Sequence, residues 1–362
     1  MKIKKALIAM SGGVDSSVAA YMIKEAGYEA IGITMKLYSN EDICLNKSKT
    51  CCSLDDIQDA RNVAEALDIP YYVLNFTDDF KEKVIDKFVD SYTHAYTPNP
   101  CIDCNHFIKF SRLMQRAAEL ECDYVVTGHY ANIEFDGISG RWLLRKGADP
   151  SKDQSYVLYS MTQEQLSKTL FPLGRLFKTE IREMASGLKM VTADKHDSQD
   201  ICFVPDNDYA SFIEKYTGKK FPPGDFIDKH GNKLGTHNGI IRYVIGQRKG
   251  LGLALPKPMY VSNVNTEDNT VTLVYAEDLL GTSLDAADIN LISVPDLYEP
   301  KRVKAKIRYK QEEQWATVVQ TSENTFHLDF DIPQRAITPG QAVVLYDGDT
   351  VVGGGTIIRP SA

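Results

Sequence analysis

The stretch from Ala6 to Ser17, ALIAMSGGVDSS, limits what this chain can fold into more than any other. Ala6 to Met10 is apolar throughout and has the length of a buried strand, and it breaks at Ser11-Gly12-Gly13 into small residues. Asp15, Ser16 and Ser17 supply a helix cap and first turn, and Val18 to Glu25 continue at helical spacing. A strand, a glycine turn and a helix in that order expose backbone N–H groups beside the positive end of a helix, which suits a phosphate. An ordinary strand-to-helix turn has the same outline, but Asp15 is also placed to reach a metal ion, which weighs for a nucleotide. GxxxxGK[ST] occurs nowhere in the chain, so the kinase-type phosphate loop is excluded.

Around this turn the first 130 residues alternate strand and helix. Strands are predicted over Tyr28–Lys36, Pro70–Asn75 and Asp123–Thr127, and helices over Leu54–Leu67, Asp78–Thr93 and Phe107–Leu120. That rhythm predicts an α/β fold with a parallel sheet covered on both faces and ligands at the carboxyl ends of its strands. Met35 and Gly128 end two of those strands and are candidates to line a nucleotide pocket, Met35 against the adenine and Gly128 by close backbone approach. For Met35 a plain core position fits the spacing equally well. At 362 residues the chain exceeds one ordinary core, and its 43% hydrophobic and 25% charged content describe a folded protein. No apolar run has membrane-spanning length and MKIKKALIAM lacks the apolar core of a signal peptide, so a cytoplasmic protein without a membrane partner is expected.

Seven cysteines, an odd number, point to thiol chemistry or metal binding rather than a disulfide framework. Cys101 and Cys104 lie in TPNPCIDCNHFIKF, where two prolines and Asn99 predict a loop that enters a helix near Asn105. A thiol there would have its pKa lowered by the helix dipole, and the CxxC spacing also makes half a metal site. Cys202 follows the polar approach KHDSQDI and is expected to be reachable, Cys122 precedes an apolar strand and reads as core, and Cys44, Cys51 and Cys52 fall in a polar loop that could form a second metal site.

Ile133 to Arg145 reads as a hairpin, Lys152 to Tyr156 as a helix cap, and Phe171 to Ala185 as a loop followed by an amphipathic helix. After residue 205 helical content falls. Residues 206–278 read as a small central domain with Gln247-Arg248-Lys249 on a glycine-flanked loop, and residues 279–362 as an antiparallel β-barrel. In KRVKAKIRYK the cations Arg302, Lys304, Lys306, Arg308 and Lys310 alternate with Val303, Ala305, Ile307 and Tyr309. One extended strand with a basic face would suit a phosphate backbone, even though the net charge of −8 argues against nucleic acid in general.

Taken together, SGGVDSS, NPCIDCN, VVTGHYA, KDQSYVL, FPLGRLFKTEIR, DSQDICFV, IGQRKGLG and TPGQAVVLYDGD resemble the bacterial tRNA-specific 2-thiouridylase family, in family order and over essentially the whole chain. SGGxDS resembles the loop of ATP pyrophosphatases, the PP-loop. The resemblance implies an adenine nucleotide alpha hydrolase-like ATP-binding domain over residues 1–205, ahead of the central domain and barrel. It implies that ATP adenylates the C2 oxygen of the wobble uridine of tRNA and that a cysteine persulfide delivers sulfur. Ala9, Met10, Ser11, Gly12, Gly13, Val14, Asp15, Ser16, Met35 and Gly128 would contact ATP, with Asp15 toward Mg²⁺. Cys202 would carry the persulfide and Cys104 would act as its nucleophilic partner, the two ending as a disulfide that is reduced each turnover. Contacts to tRNA fall to Asn99, Pro100, Cys101, His129, Lys152, Asp153, Gln154, Arg308, Tyr309 and Gln341. The implied partners are tRNAs for Lys, Glu and Gln and a sulfur-donor protein, either a relay carrier or a cysteine desulfurase.

One position departs from the pattern. The family motif NPDxxCN has an Asp where this chain has Cys101, and a thiol cannot inherit a carboxylate's acid/base role because their resting pKa values differ by several units. Two sulfur routes follow: a persulfide on Cys202, or a [4Fe–4S] cluster on Cys101, Cys104 and Cys202. Two other classes compete with a sulfurtransferase. A carbon–nitrogen ligase would turn over ATP without tRNA, and a zinc-stabilised RNA-binding protein would release no AMP.

Overall fold

The computed structural model describes residues 3–39, 54–195, 201–204 and 207–361; Cys44, Cys51 and Cys52, and the second metal site considered for them, lie outside the described residues. The chain divides into two compact units, one of Met1–Val84, Cys101–Asn207 and Asp349–Val351, the other of Ile85–Pro100, Asp208–Gly348 and Val352–Ala362.

The first unit is built on a parallel sheet of β1 (Lys5–Ala9), β2 (Glu29–Lys36), β3 (Tyr71–Asn75), β4 (Tyr124–Val126) and β7 (Thr169–Leu170), in the order β3-β2-β1-β4-β7. The unbroken apolar run of β1 is explained by its central place. Ala6, Ile8 and Met10 pack on one face with Ala20, Ile23 and Val63, which come from helices α1 (Val14–Glu25) and α2 (Leu54–Ala66). Leu7 packs on the other face with Ile33, Leu113 and Val125. A hairpin of β5 (Ala131–Asp136) and β6 (Arg141–Lys146) follows β4, and a helix spans Lys178–Gly187.

The segment around Cys101 and Cys104 differs from the sequence reading. A helix begins at Pro100, runs through Asp103, widens into a π-helical stretch over Cys104–Arg112 and continues to Glu119. Pro100 occupies the first helical position, where proline loses no needed hydrogen bond and has a suitable φ, so it starts the helix rather than preventing it. Both cysteines are therefore helical.

In the second unit β8 (Gly224–Ile227), β9 (Lys233–His237), β10 (Tyr260–Asn265) and β11 (Thr270–Val274) form a small sheet ordered β10-β11-β8-β9. Strands β12 (Leu280–Leu291), β13 (Lys301–Lys306), β14 (Gln314–Ser322), β15 (Thr325–Arg335), β16 (Ala342–Asp347) and β17 (Thr350–Ser361) run in the order β12-β15-β14-β13-β16-β17, and β12 pairs antiparallel with β17 to close a barrel. Val303, Ala305, Val318, Phe326, Leu328 and Leu345 fill it. Strand β13 stops at Lys306, so the basic alternation covers Arg302, Lys304 and Lys306 but does not run on as one strand to Lys310. Among the described residues no helix is long and apolar enough to cross a membrane.

The turn between β1 and α1 fits only glycine at its second position. Gly12 has φ +73°, and a Cβ there would lie 2.2 Å from the backbone oxygen of Asp56 on α2. Gly12→Ala is expected to cost at least about 2 kcal/mol, from a left-handed backbone plus a clash that moves α2. A urea titration reads this; unchanged stability would contradict the packing of α2 against the turn.

Candidate active site

The glycine turn ties its own oxygens behind it. The carbonyl of Gly13 accepts from the hydroxyls of Ser16 (3.0 Å) and Ser17 (2.9 Å) and from the backbone N–H of Ser17 (3.2 Å). The Ser11 N–H donates to Ser16 Oγ at 3.1 Å. Gly13 is the N-cap of α1 and provides no side-chain cap, so the first-turn N–H groups have no capping side chain and carry the positive end of the helix.

Asp15, in that first turn, is engaged from two sides. Tyr130 Oη donates to Oδ1 at 2.6 Å, and Lys178 Nζ donates to Oδ1 and Oδ2 at 2.8 and 2.9 Å. The Lys178 side chain is only 10% exposed and opens its helix, a position where a cation opposes the helix dipole. Its backbone N–H is capped by Asp149 Oδ2 at 3.1 Å. Lys178 and Tyr130 were not singled out from sequence. The signal was present in FPLGRLFKTEIR: a lysine at the start of an amphipathic helix needs an anion to offset the dipole.

Other expected ATP contacts divide between loop and core. Ser11 is exposed, whereas Met10 is buried with its N–H on Ile33 O and its carbonyl accepting from Thr34 Oγ1. Val14 packs with Val18, Tyr130 and Ile181, and Met35 packs against the Leu7 cluster. Ala9 ends β1 half-buried. Gly128 permits a close approach, but to the first turn of α1: a Cβ there would sit 3.0 Å from Asp15 C and Ser16 N.

Gly12, Gly13, Cys104 and Cys202 all belong to the first unit. Among the described residues, Cys101, Cys104, Cys122 and Cys202 are not joined in a disulfide. Cys104 is buried, and burial pushes its thiol up to about 11, with Lys109 pulling the other way. This reverses the dipole-lowered thiol predicted from sequence, because Cys104 lies one turn inside the helix rather than ahead of it. Cys101 is exposed. Cys202 is half-buried, its backbone carbonyl accepting from Tyr38 Oη at 2.7 Å, and Phe80 packs between Tyr38 and Phe203. Among the described residues no three His, Cys, Asp or Glu side chains converge as a metal site, so the cluster on Cys101, Cys104 and Cys202 finds no support.

A tRNA methyl transferase HUP domain model matches residues 4–206, a tRNA methyl transferase PRC-barrel domain model residues 210–275, and an aminomethyltransferase beta-barrel domain model residues 282–357. The tRNA-specific 2-thiouridylase MnmA of Clostridioides difficile (strain 630) is 52% identical over 354 residues, covering 98% of each chain. Those of Acetivibrio thermocellus and Symbiobacterium thermophilum are each 51% identical, covering 99% and 98% of this chain and 100% and 92% of their own. The chain belongs to the tRNA-specific 2-thiouridylase family.

The positions that the 2-thiouridylase resemblance assigns to tRNA fall into two groups, one in each unit. In the first unit Gln154 braces Tyr130 by two hydrogen bonds, N–H to Tyr130 O and Oε1 from Tyr130 N–H, both 2.9 Å. Asp153 accepts from Gly147 N (3.0 Å) and from Ser155 N and Oγ (3.1 and 2.8 Å), while Lys152 is half-buried. His129 is a buried ring between Phe110 and Phe171, with Nδ1 2.6 Å from Thr127 Oγ1, and burial followed by the Lys109 charge holds it neutral, well below its ordinary range.

In the second unit the turn Thr338–Gln341 gathers the rest. Gln341 Nε2 donates to Thr97 O at 2.8 Å, and Thr97 N–H donates to Pro339 O at 3.2 Å, which fixes the strap leading to Asn99 and Pro100. Arg308 Nη2 donates to Ala336 O and Thr338 Oγ1, and Tyr309 is partly exposed. On the barrel face Arg302 is bound to both oxygens of Asp331, and it and Lys304 flank the exposed ring of Trp315 at 5.5 and 5.4 Å. The Arg248 of the glycine-flanked loop bonds Tyr260 and, with Arg335, holds that phenol below its ordinary value.

Alkylation rates separate the thiols. At pH 8 only about one Cys104 in a thousand is thiolate, so Cys101 is expected to label far faster, and the Cys104 rate to climb about tenfold per pH unit toward 11. Peptide mapping after iodoacetamide reads both; equal labelling at pH 8 would contradict a buried Cys104.

Proposed function

We propose that this chain performs the ATP-dependent 2-thiolation of the wobble uridine of tRNA. The observation that carries this reading is the glycine cradle with Asp15 bound to Lys178 and Tyr130, in a chain related along its length to 2-thiouridylases. The triphosphate lies on the uncapped start of α1, where N–H groups and helix dipole meet its charge. The C2 oxygen of uridine attacks the α-phosphorus, pyrophosphate leaves, and the oxygen becomes part of a good leaving group, AMP. Lys178, with an ammonium at the cradle's rim, stabilises charge gathering on the departing pyrophosphate.

The residues present suit Mg²⁺. Asp15 Oδ2 takes a bond from Lys178 while Oδ1 takes two, and the Asp15 side chain is 32% exposed, so the carboxylate keeps room for a hard cation that phosphate oxygens and waters otherwise hold. Bound there, Mg²⁺ would neutralise phosphate charge.

Sulfur arrives as a persulfide on Cys202 from a sulfur-donor protein, a relay carrier or a cysteine desulfurase. The terminal sulfur attacks C2 and AMP departs with the original oxygen, leaving an S–S link between uridine and Cys202. Cys104, having lost its proton, attacks Cys202 Sγ; the thiocarbonyl is released and a Cys104–Cys202 disulfide remains for external reductant. The substrates are tRNAs for Lys, Glu and Gln in the cytoplasm, gripped by the Thr338–Gln341 turn with Asn99, Pro100, Arg308 and Tyr309, and by the cations around Trp315. Cys101, at the place of the Asp in the motif NPDxxCN that the resemblance implies, lines the base pocket without an acid/base role. The methyl-transfer labels of the domain models name no thiol chemistry, whereas Cys202 and Cys104 supply it.

Nucleoside analysis of tRNA incubated with ATP, Mg²⁺ and a sulfur source tests this. The intact chain is expected to yield 2-thiouridine and AMP, Cys202→Ser no 2-thiouridine, and Lys178→Met a loss of about 100-fold or more in rate. Thiolation surviving Cys202→Ser would overturn the sulfur route. Lys304→Glu with Lys306→Glu is expected to weaken tRNA binding and flatten its log–log salt slope by about 2; an unchanged slope would remove the barrel face from the tRNA site.

A further inference from the structure

Lys195 makes contacts that the reaction above does not use. Its ammonium donates to Gly12 O at 3.0 Å, to Asp56 Oδ1 at 2.6 Å and to Asp59 Oδ2 at 2.6 Å. The two carboxylates come from one face of α2, whose backbone also touches the Gly12 position. Burial works against the charge, but the two carboxylates outweigh it and hold the lysine above its ordinary value, so the ammonium stays protonated across the working pH range.

The direction of that contact matters because a trans peptide points its C=O and N–H opposite ways. Gly12 O and the N–H of Gly13 belong to one peptide unit. Gly12, at φ +73°, is the residue of the turn where a peptide flip meets least resistance from its own side chain, since it has none. Flipping would aim a carbonyl at the phosphates and withdraw the Gly13 N–H from them. The next carbonyl along, that of Gly13, is already tied by Ser16 and Ser17, and Ser17 is itself bonded by buried Thr192 at 3.1 Å. Lys195 does for the first peptide what the serines do for the second.

We propose that Lys195 is a positioning residue that pins the Gly12–Gly13 peptide so that its N–H faces the phosphates of ATP. This rests on the nucleotide role given to the cradle under the proposed function. It also accounts for Asp56 and Asp59, which hold the pin in place and would otherwise set two negative charges beside a triphosphate site.

The test is ATP binding by calorimetry, paired with ATP and tRNA saturation curves, on the full chain and on Lys195→Met and Lys195→Arg. Lys195→Met is expected to lower kcat/KM for ATP about 100-fold, mostly through KM, with the KM for tRNA held. Lys195→Arg keeps charge and donors and is expected to recover to within about tenfold of the intact chain. ATP binding unchanged in Lys195→Met, or an equal loss in both variants, overturns the pin while leaving the proposed function standing. An intact chain that binds no ATP overturns both.

Discussion

The ion pair of Lys178 with Asp15 is the contact on which the arrangement around the glycine turn depends. A lysine side chain 10% exposed, opening its own helix, pays for dehydration and for opposing the dipole, and one carboxylate offsets both. Buried pairs of this kind are weak sources of stability, since well-packed apolar residues of similar volume often do as well. Its presence is better explained by chemistry: it places an ammonium and a carboxylate at the rim of a helix N-terminus. It also joins three separate pieces of chain, the first turn of α1, Tyr130 after β4, and the helix Lys178–Gly187, so the cradle is set by the fold and not by the glycines alone.

The thiols pose the opposite problem. In the proposed sulfur route a persulfide acceptor and its resolving partner must react, yet Cys104 is buried and its thiol is pushed up to about 11. A protonated, inaccessible thiol is safe from oxidation between turnovers. In that route Cys104 must lose its proton to react, and Lys109 is the nearby charge that favours the thiolate. Exposed Cys101 sits one helical turn earlier, so burial and position in the helix, rather than the CxxC spacing, distinguish the two cysteines.

Much of this was legible from residues alone. The apolar run of β1 and the glycine turn follow directly from local rules, and the alternation in KRVKAK correctly divides core from surface in β13. The cap expected from Asp15, Ser16 and Ser17 does not form, because the helix already starts at Val14 behind Gly13 and the two serine hydroxyls turn back to Gly13 O. What escaped depended on partners far along the chain. Pro100 looked like a helix breaker because its neighbours Pro98 and Asn99 are loop residues, but at the first helical position a proline begins a helix. Arg308 continued an alternating pattern on paper, yet its guanidinium finds Ala336 O and Thr338 Oγ1 once the strand has ended at Lys306. Lys178 and Lys195 are ordinary lysines in sequence and acquire meaning only from carboxylates more than a hundred residues away.

In the proposed reaction the oxygen of uridine leaves as part of AMP. Transcribing a tRNA with ¹⁸O at C2 of the wobble uridine and weighing the AMP released during thiolation tests it most directly. The AMP is expected to be heavier by one ¹⁸O for each 2-thiouridine formed; unlabelled AMP, with the heavy oxygen recovered in water, would contradict adenylation of that oxygen.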